Sequence, residues 1–297
     1  MRRRAAALCL ALLVPACSGT LDRDGLDDRV LAQRASHLTR NLARPDSGAK
    51  GVQPVARWVL PASLAEISGL ALTSDGRLFA HGDELAQVSE IDYRRGVLVK
   101  QFSLGKHVLH ADFEGITVAG NRFFLLASDG KLYEFREGEN GTRVNYLVHD
   151  TKLGRECEFE GVTYDSASNS LLLACKNVDT KALKRNLVMY RWSLSDSGTI
   201  EVPVVSIPLR EVIGKNDWKD LHPSDLTRDP LTGNFLIITA QEKALIGLTP
   251  GGDIAFSRPL PEQLDHTEGI AVTSDSLVIL SEEAGKRPAA ISVYRWH

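Results

Sequence analysis

From residue 55 onward the chain is built of short apolar runs separated by tight polar turns. Leu70-Ala71-Leu72 is followed by Thr73-Ser74-Asp75-Gly76 and then by Leu78-Phe79-Ala80. Val162-Thr163-Tyr164 is followed by Asp165 to Asn169 and then by Leu171-Leu172-Leu173-Ala174. Leu226-Thr227 is followed by Asp229 to Asn234 and then by Phe235-Leu236-Ile237-Ile238. Runs this short, bounded by Asp, Asn, Gly and Ser, read as strands joined by hairpin turns. Their near-continuous apolarity predicts strands covered on both faces.

These runs belong to a repeat. One motif recurs as Ile67-Ser68-Gly69-Leu70-Ala71, Phe113-Glu114-Gly115-Ile116-Thr117, Phe159-Glu160-Gly161-Val162-Thr163, Pro223-Ser224-Asp225-Leu226-Thr227 and Thr267-Glu268-Gly269-Ile270-Ala271. The third residues of successive copies are 46, 46, 64 and 44 positions apart. A four-stranded propeller blade takes about 40–50 residues, so the expectation is an all-β, five-bladed propeller with antiparallel blades. The long interval is one blade with an insertion, within Lys176–Lys184 and Arg210–His222. The last blade supplies only Gly269–Val272, Leu277–Leu280 and Ile291–Trp296. Val55 to Leu60, at the other end of the domain, is the available fourth strand. Pairing the two ends would close the ring and hide both sheet edges.

Aligning the copies exposes two polar columns. The position before the glycine reads Ser68, Glu114, Glu160, Ser224 and Glu268; two residues earlier stand Glu66, Asp112, Glu158, His222 and His266. Strand periodicity turns both columns the same way, toward the mouth of the central channel. Asp83, Lys176, Gln241, Glu242, Glu282 and Glu283 follow the second strands and are expected on the same rim. Three glutamates converging on one axis, with Asp225 near them, repel one another unless a cation intervenes. Hard oxygen donors from several directions suit Ca²⁺. The expected ligands are Glu114, Glu160 and Glu268, assisted by Asp225 or by Ser68 and Ser224. The plainer alternative is that these carboxylates accept backbone N–H bonds from neighbouring blades. His222 and His266 are either metal or proton-transfer groups or satisfied surface side chains. The glycine column is read as structural, allowing close backbone packing at the axis.

Taken together, Glu66-Ile67-Ser68-Gly69-Leu70, Asp112-Phe113-Glu114-Gly115-Ile116, Phe159-Glu160-Gly161-Val162, Pro223-Ser224-Asp225-Leu226 and Thr267-Glu268-Gly269-Ile270 resemble the SdiA-regulated, YjiK-like family of bacterial propellers. The resemblance covers roughly residues 60 to 295. It implies a five-bladed propeller with a calcium site, distantly related to NHL repeats.

The N-terminal segment changes the picture of location. Arg2, Arg3 and Arg4 precede the apolar stretch Ala5 to Ala16, and Leu13-Val14-Pro15-Ala16-Cys17 resembles a lipoprotein cleavage box. Residues 1–16 are thus expected to be a signal peptide and Cys17 a lipidated first residue. Residues 17–54 are expected to be a polar, mostly solvated tether with a short helix between Asp24 and Arg44, and 55–297 the propeller. Ser18 points to the outer membrane, facing the periplasm. In that oxidising compartment Cys157 and Cys175 flank one hairpin and are candidates for a disulfide, depending on register.

Composition removes some classes of function. A formal net charge of −3 leaves no electrostatic footprint for nucleic acid. No run of about 18 apolar residues is present, so the lipid is the expected membrane attachment. No nucleophile elbow or phosphate-cradling loop is present. The reading is a calcium-containing binding scaffold, expected as a monomer, presenting loops to a protein or small ligand. The alternative is a calcium-dependent hydrolase acting on lactones or phosphoesters at the same metal.

Overall fold

The three hairpins marked by turn residues are antiparallel pairs in the computed structural model, which describes residues 27–44, 53–195, 198 and 202–296. Before the ring come helix α1 (Asp28–Ala43) and strand β1 (Ala56–Val59). Blade one holds β2 (Ile67–Leu72), β3 (Leu78–Gly82), β4 (Gln87–Asp92) and β5 (Val97–Leu104), with β9 (Arg143–Val144) lying parallel to its outer edge. Blade two holds β6 (Phe113–Ala119), β7 (Arg122–Ala127), β8 (Lys131–Phe135) and β10 (Tyr146–Asp150). Blade three holds β11 (Cys157–Asp165), β12 (Ser170–Val178), β13 (Asn186–Ser193) and β14 (Val205–Pro208). Helix α2 (Leu209–Ile213) sits in the long interval, where the insertion was expected. Blade four holds β15 (Asp225–Arg228), β16 (Phe235–Thr239), β17 (Ala244–Leu248) and β18 (Ile254–Pro259). Blade five holds β19 (Thr267–Val272), β20 (Leu277–Glu282) and β21 (Ala290–Arg295).

The fourth strand of blade five is β1. It pairs antiparallel with β21, Ala56 opposite Val293 and Val59 opposite Ala290. The ring is therefore closed by hydrogen bonds between the two ends of the domain. Glu282, expected on the rim, instead lies buried and 3.2 Å from Arg57 of β1. It joins the closing strand to the blade.

The apolar core is divided among the blade interfaces. Phe79, Phe102, Phe113, Phe123 and Phe135 fill the gap between blades one and two, with Phe79 and Phe123 edge to face at 5.0 Å. Trp58, Ile67, Leu70, Ile279 and Ile291 fill the closing gap between blades five and one. Burial on both faces is what the continuous apolar runs required.

At the axis the constraint is different. The innermost strands β2, β6, β11 and β19 each carry a register shift at the glycine motif, and bulges of this kind bend a strand inward. A Cβ on Gly69 would lie 3.3 Å from the Cα of Gly115, and one on Gly115 would lie 3.2 Å from the Cα of Gly161. One on Gly161, at φ +104°, would lie 3.0 Å from the Cα of Asp225. Backbone packs against backbone around a waist. Blade four departs from the pattern: its Asp225 is fully buried, and its carboxylate accepts N–H bonds from Leu226 at 2.7 Å and Ile270 at 2.8 Å, and from Leu70. One side chain thus bonds blades four, five and one.

The tether expected to be mostly solvated contains a docked helix. In α1, Leu31 and Leu38 are buried, and Leu38 joins the cluster around Trp58. Arg34 donates to the carbonyls of Arg95 and Gly96 on blade one, while Arg295 of β21 donates to those of Asn41, Leu42 and Arg44. The three Arg295 bonds supply donors at the helix C-terminus, where the last carbonyls run out of helical partners. Cys17 and the leader lie outside the described residues.

Substitution of the waist is expected to be costly for two separable reasons. Gly161→Ala meets both an unfavourable φ of +104° and a backbone contact at 2.8 Å, whereas Gly141→Ala meets only a φ of +73° with open space around it. The latter should cost about 1 kcal/mol and the former several times more, read as the difference between urea unfolding midpoints. Equal effects at the two positions would contradict the packed waist.

Candidate cation site at the channel mouth

The mouth lies on the side of the waist where the innermost strands begin. Glu114, Glu160 and Glu268 stand there on blades two, three and five, each beside the bulge of its strand. Their carboxyls are raised to about 9, about 7 and about 7 respectively, in each case chiefly by burial. Mutual repulsion adds to it: Glu160 and Asp112 push Glu114 up, and Glu283 and Asp83 push Glu268 up.

A built-in cation enters this group. Lys176 is skipped in the pairing of β11 with β12, where Glu158 faces Asn177 and Phe159 faces Cys175. Its ammonium bonds the carboxylate of Glu160 and lowers the pKa of Glu114, Glu160 and Glu268 together. Lys176 thus sits among the glutamates rather than merely on the rim. The neighbouring Cys175 is joined to Cys157 by a disulfide, with Cα atoms 5.6 Å apart, which fixes the strand on the N-terminal side of Lys176.

The remaining predicted residues separate into those that gather and those that do not. Glu268, Glu283 and His266 each place one ligand atom within 4.8 Å of the others. Among the described residues Glu114 and Glu160 belong to no such group. Asp225, expected as a metal ligand, is instead the waist carboxylate, its oxygens occupied by backbone amides. Ser224 donates its hydroxyl to Thr267 O at 3.0 Å, and Ser68 is buried in blade one. His222 is satisfied by Glu242: its Nδ1 lies 2.7 Å from Oε1, and its backbone N–H donates to Oε2. Glu158 accepts from the Asn177 amide, while Glu66 and Asp112 are exposed at the outer edge of the mouth, as is Gln241.

The structure also holds two features that the motif columns did not single out. His81 is fully buried in blade one; its Nδ1 is 2.9 Å from Gly82 O, its Nε2 has no hydrogen-bond partner, and burial lowers its pKa to about 4. On the far side of the waist a cavity of about 650 Å³ opens where the innermost strands end. One position per strand lines it three residues beyond the glycine column: Leu72, Val118, Tyr164, Arg228 and Val272. The same alignment that exposes the mouth columns contains this one.

The raised carboxyls carry a pH dependence whose sign follows from linkage. A carboxyl raised on folding holds its proton more tightly in the native state, so stability falls as pH rises toward the folded value. His81 opposes this only below its ordinary value of 6.5. Between pH 6.5 and about 9 the metal-free protein is therefore expected to lose stability steadily, and Glu114→Gln should flatten the upper part of that fall. Thermal melts across this range in chelator test it; a wild-type profile rising to pH 9 contradicts it.

The chain matches no family model and no curated protein at a significant level. Its fold is similar to the PQQ-bound aldose sugar dehydrogenase of Streptomyces coelicolor, at 12% identity and a TM-score of 0.53, covering 85% of this chain and 99% of that one. It is likewise similar to the glutaminyl cyclase of Myxococcus xanthus, at 14% identity and a TM-score of 0.52, covering 82% and 97%. Identities this low concern the fold alone: the chain is a five-bladed β-propeller.

Proposed function

We propose that this protein is an exported, lipid-anchored propeller of the SdiA-regulated kind, which holds a calcium ion in its acidic mouth and acts there as a binding scaffold. The observation that carries the reading is the charge imbalance of the mouth. Lys176 pairs with Glu160 and its charge reaches Glu114 and Glu268, yet Glu268, Glu283 and Asp83 still repel one another. Raised carboxyls of this kind are relieved when a cation is bound.

The donor chemistry fits a hard cation, with one qualification. Glu268 and Glu283 supply carboxylate oxygens, and Glu160 joins them if Lys176 releases it. Carboxylates and water suit Ca²⁺. His266, close to both glutamates, is a donor that suits transition metals better. It also supports the second reading, a metal-dependent hydrolase, since an imidazole beside a metal can serve as a base. The ion would neutralise the mouth and bridge it to an oxygen-bearing group of a partner.

Calcium at about 100 times its Kd is expected to stabilise the native state by about 2.7 kcal/mol. The melting temperature should then rise with Ca²⁺, fall with EGTA, and respond weakly to Mg²⁺. Glu268→Gln should shrink the calcium-dependent rise more than it changes the melting temperature in chelator. Indifference to calcium after exhaustive metal removal overturns the site. If Zn²⁺ or Mn²⁺ stabilises instead and His266→Ala abolishes the effect, the ion is not calcium. Turnover of a lactone, ester or phosphate panel that is lost in chelator would favour the hydrolase.

Anchoring is tested separately. Cys17→Ser expressed with its leader should leave the membrane fraction for the soluble periplasmic fraction. Continued fractionation with membranes would exclude lipidation at that residue.

A further inference from the structure

The acidic mouth already holds a cation of its own. The ammonium of Lys176 bonds the carboxylate of Glu160 and is drawn as well by Glu114 and Glu158. Glu160 is the most enclosed of these partners: its side chain is only 5% exposed, against 27% for that of Lys176. The innermost carboxylate is thus covered by a side chain that solvent reaches.

Backbone geometry keeps this ammonium at its post. The disulfide joins Cys157, which precedes Glu158, to Cys175, which precedes Lys176. Glu158 faces Asn177 and Phe159 faces Cys175, so Lys176 leaves the ladder between them. Only a flexible stem separates the ammonium from that fixed base, which holds it near Glu160 at the high effective concentration of a short tether. A dissolved ion has to compete with this group for the same oxygens. Na⁺ brings the same charge as the ammonium and gains nothing by the exchange. Ca²⁺ brings twice that charge to Glu160 and the glutamates around it, and Coulomb attraction scales with it. A displaced ammonium keeps Glu158, which acts on it already and is less buried than Glu160.

Building on the calcium reading of the mouth, we propose that Lys176 is its tethered counter-ion, displaced from Glu160 by divalent cations and not by monovalent ones. Lys176 is then the residue that sets cation selectivity by charge. Without divalent ions the mouth is filled by its own side chain; with them the ammonium moves outward to Glu158.

Calorimetry on the full mature protein, stripped of metal, compares wild type with Lys176→Met and Lys176→Arg. The probes are Ca²⁺ and Na⁺, with ionic strength held constant by tetramethylammonium chloride. Lys176→Met should bind Ca²⁺ at least about tenfold more tightly and gain a Na⁺ response that wild type lacks. Lys176→Arg, which keeps the charge, should stay within a few-fold of wild type. In chelator Lys176→Met should melt lower than wild type, and saturating Ca²⁺ should close that deficit. Loss of an ordinary packing contact would lower both melts alike. A second readout needs no variant. Acetylation of wild-type amines, followed by mass spectrometry, should label Lys176 faster in Ca²⁺ than in chelator, with the exposed Lys152 as internal standard. That result decides alone if Lys176→Met does not fold. Equal Ca²⁺ affinity in wild type and Lys176→Met, or Lys176 labelling unchanged by bound Ca²⁺, overturns the role of Lys176 and leaves the metal site standing. Absence of binding by both proteins instead removes the calcium reading, and this inference falls with it.

Discussion

The architecture depends on how little room is left where five strands meet at an axis. Four of them accept the constraint by having no side chain at the point of contact, and the fifth uses the space so freed for a single carboxylate. Asp225 then gathers amides from its own blade and from two others, which no blade could satisfy within its own sheet. Burial raises its pKa while the three amides favour its charged form, so the group is held between opposing effects. A ring of near-identical units needs one unlike member to fill its centre.

The same bulges that let the glycines meet also aim the glutamates at the mouth. A bulge places two residues opposite one, and the residue before each glycine is carried toward the axis with it. In blade three the partner strand is displaced as well, and Lys176 is the residue thrown inward. The mouth consequently carries an ammonium among its carboxylates, a feature arising from one irregular strand. The disulfide at Cys175 constrains the backbone beside that irregularity.

Most of the ring was legible because it rests on repeated local signals. Turn residues at blade spacing and apolar runs covered on both faces recur whether or not the contacts between blades are known. The closing strand was legible too, as the missing partner of a three-stranded blade. What could not be read were contacts decided by register or by a single side chain. Asp225 belongs to the glycine column by alignment, yet its acidic character suggested the mouth; only the axial distances separate those roles. Lys176 is one position from an ordinary rim site, and a skipped residue in β12 moves it among the glutamates. Helix α1 was legible as a helix between Asp24 and Arg44, but its docking was not, because its burial rests mainly on Leu31 and Leu38 and its docking bonds involve carbonyl groups that no residue pattern encodes.

Helix α1 also has a mechanical meaning. It is bonded by Arg34 to blade one and by Arg295 to blade five, so it straddles the seam where the ring is closed. Asn41 adds a bond to Val55 O, at the start of the segment leading into β1. A pull applied to the chain upstream of residue 27 therefore reaches α1 before it reaches β1. The load is shared between two blades instead of peeling the closing strand from its edge one hydrogen bond at a time. In a molecule tethered by its N-terminal end, such a latch would let the ring be dragged, or pressed by a partner, without opening at its weakest joint.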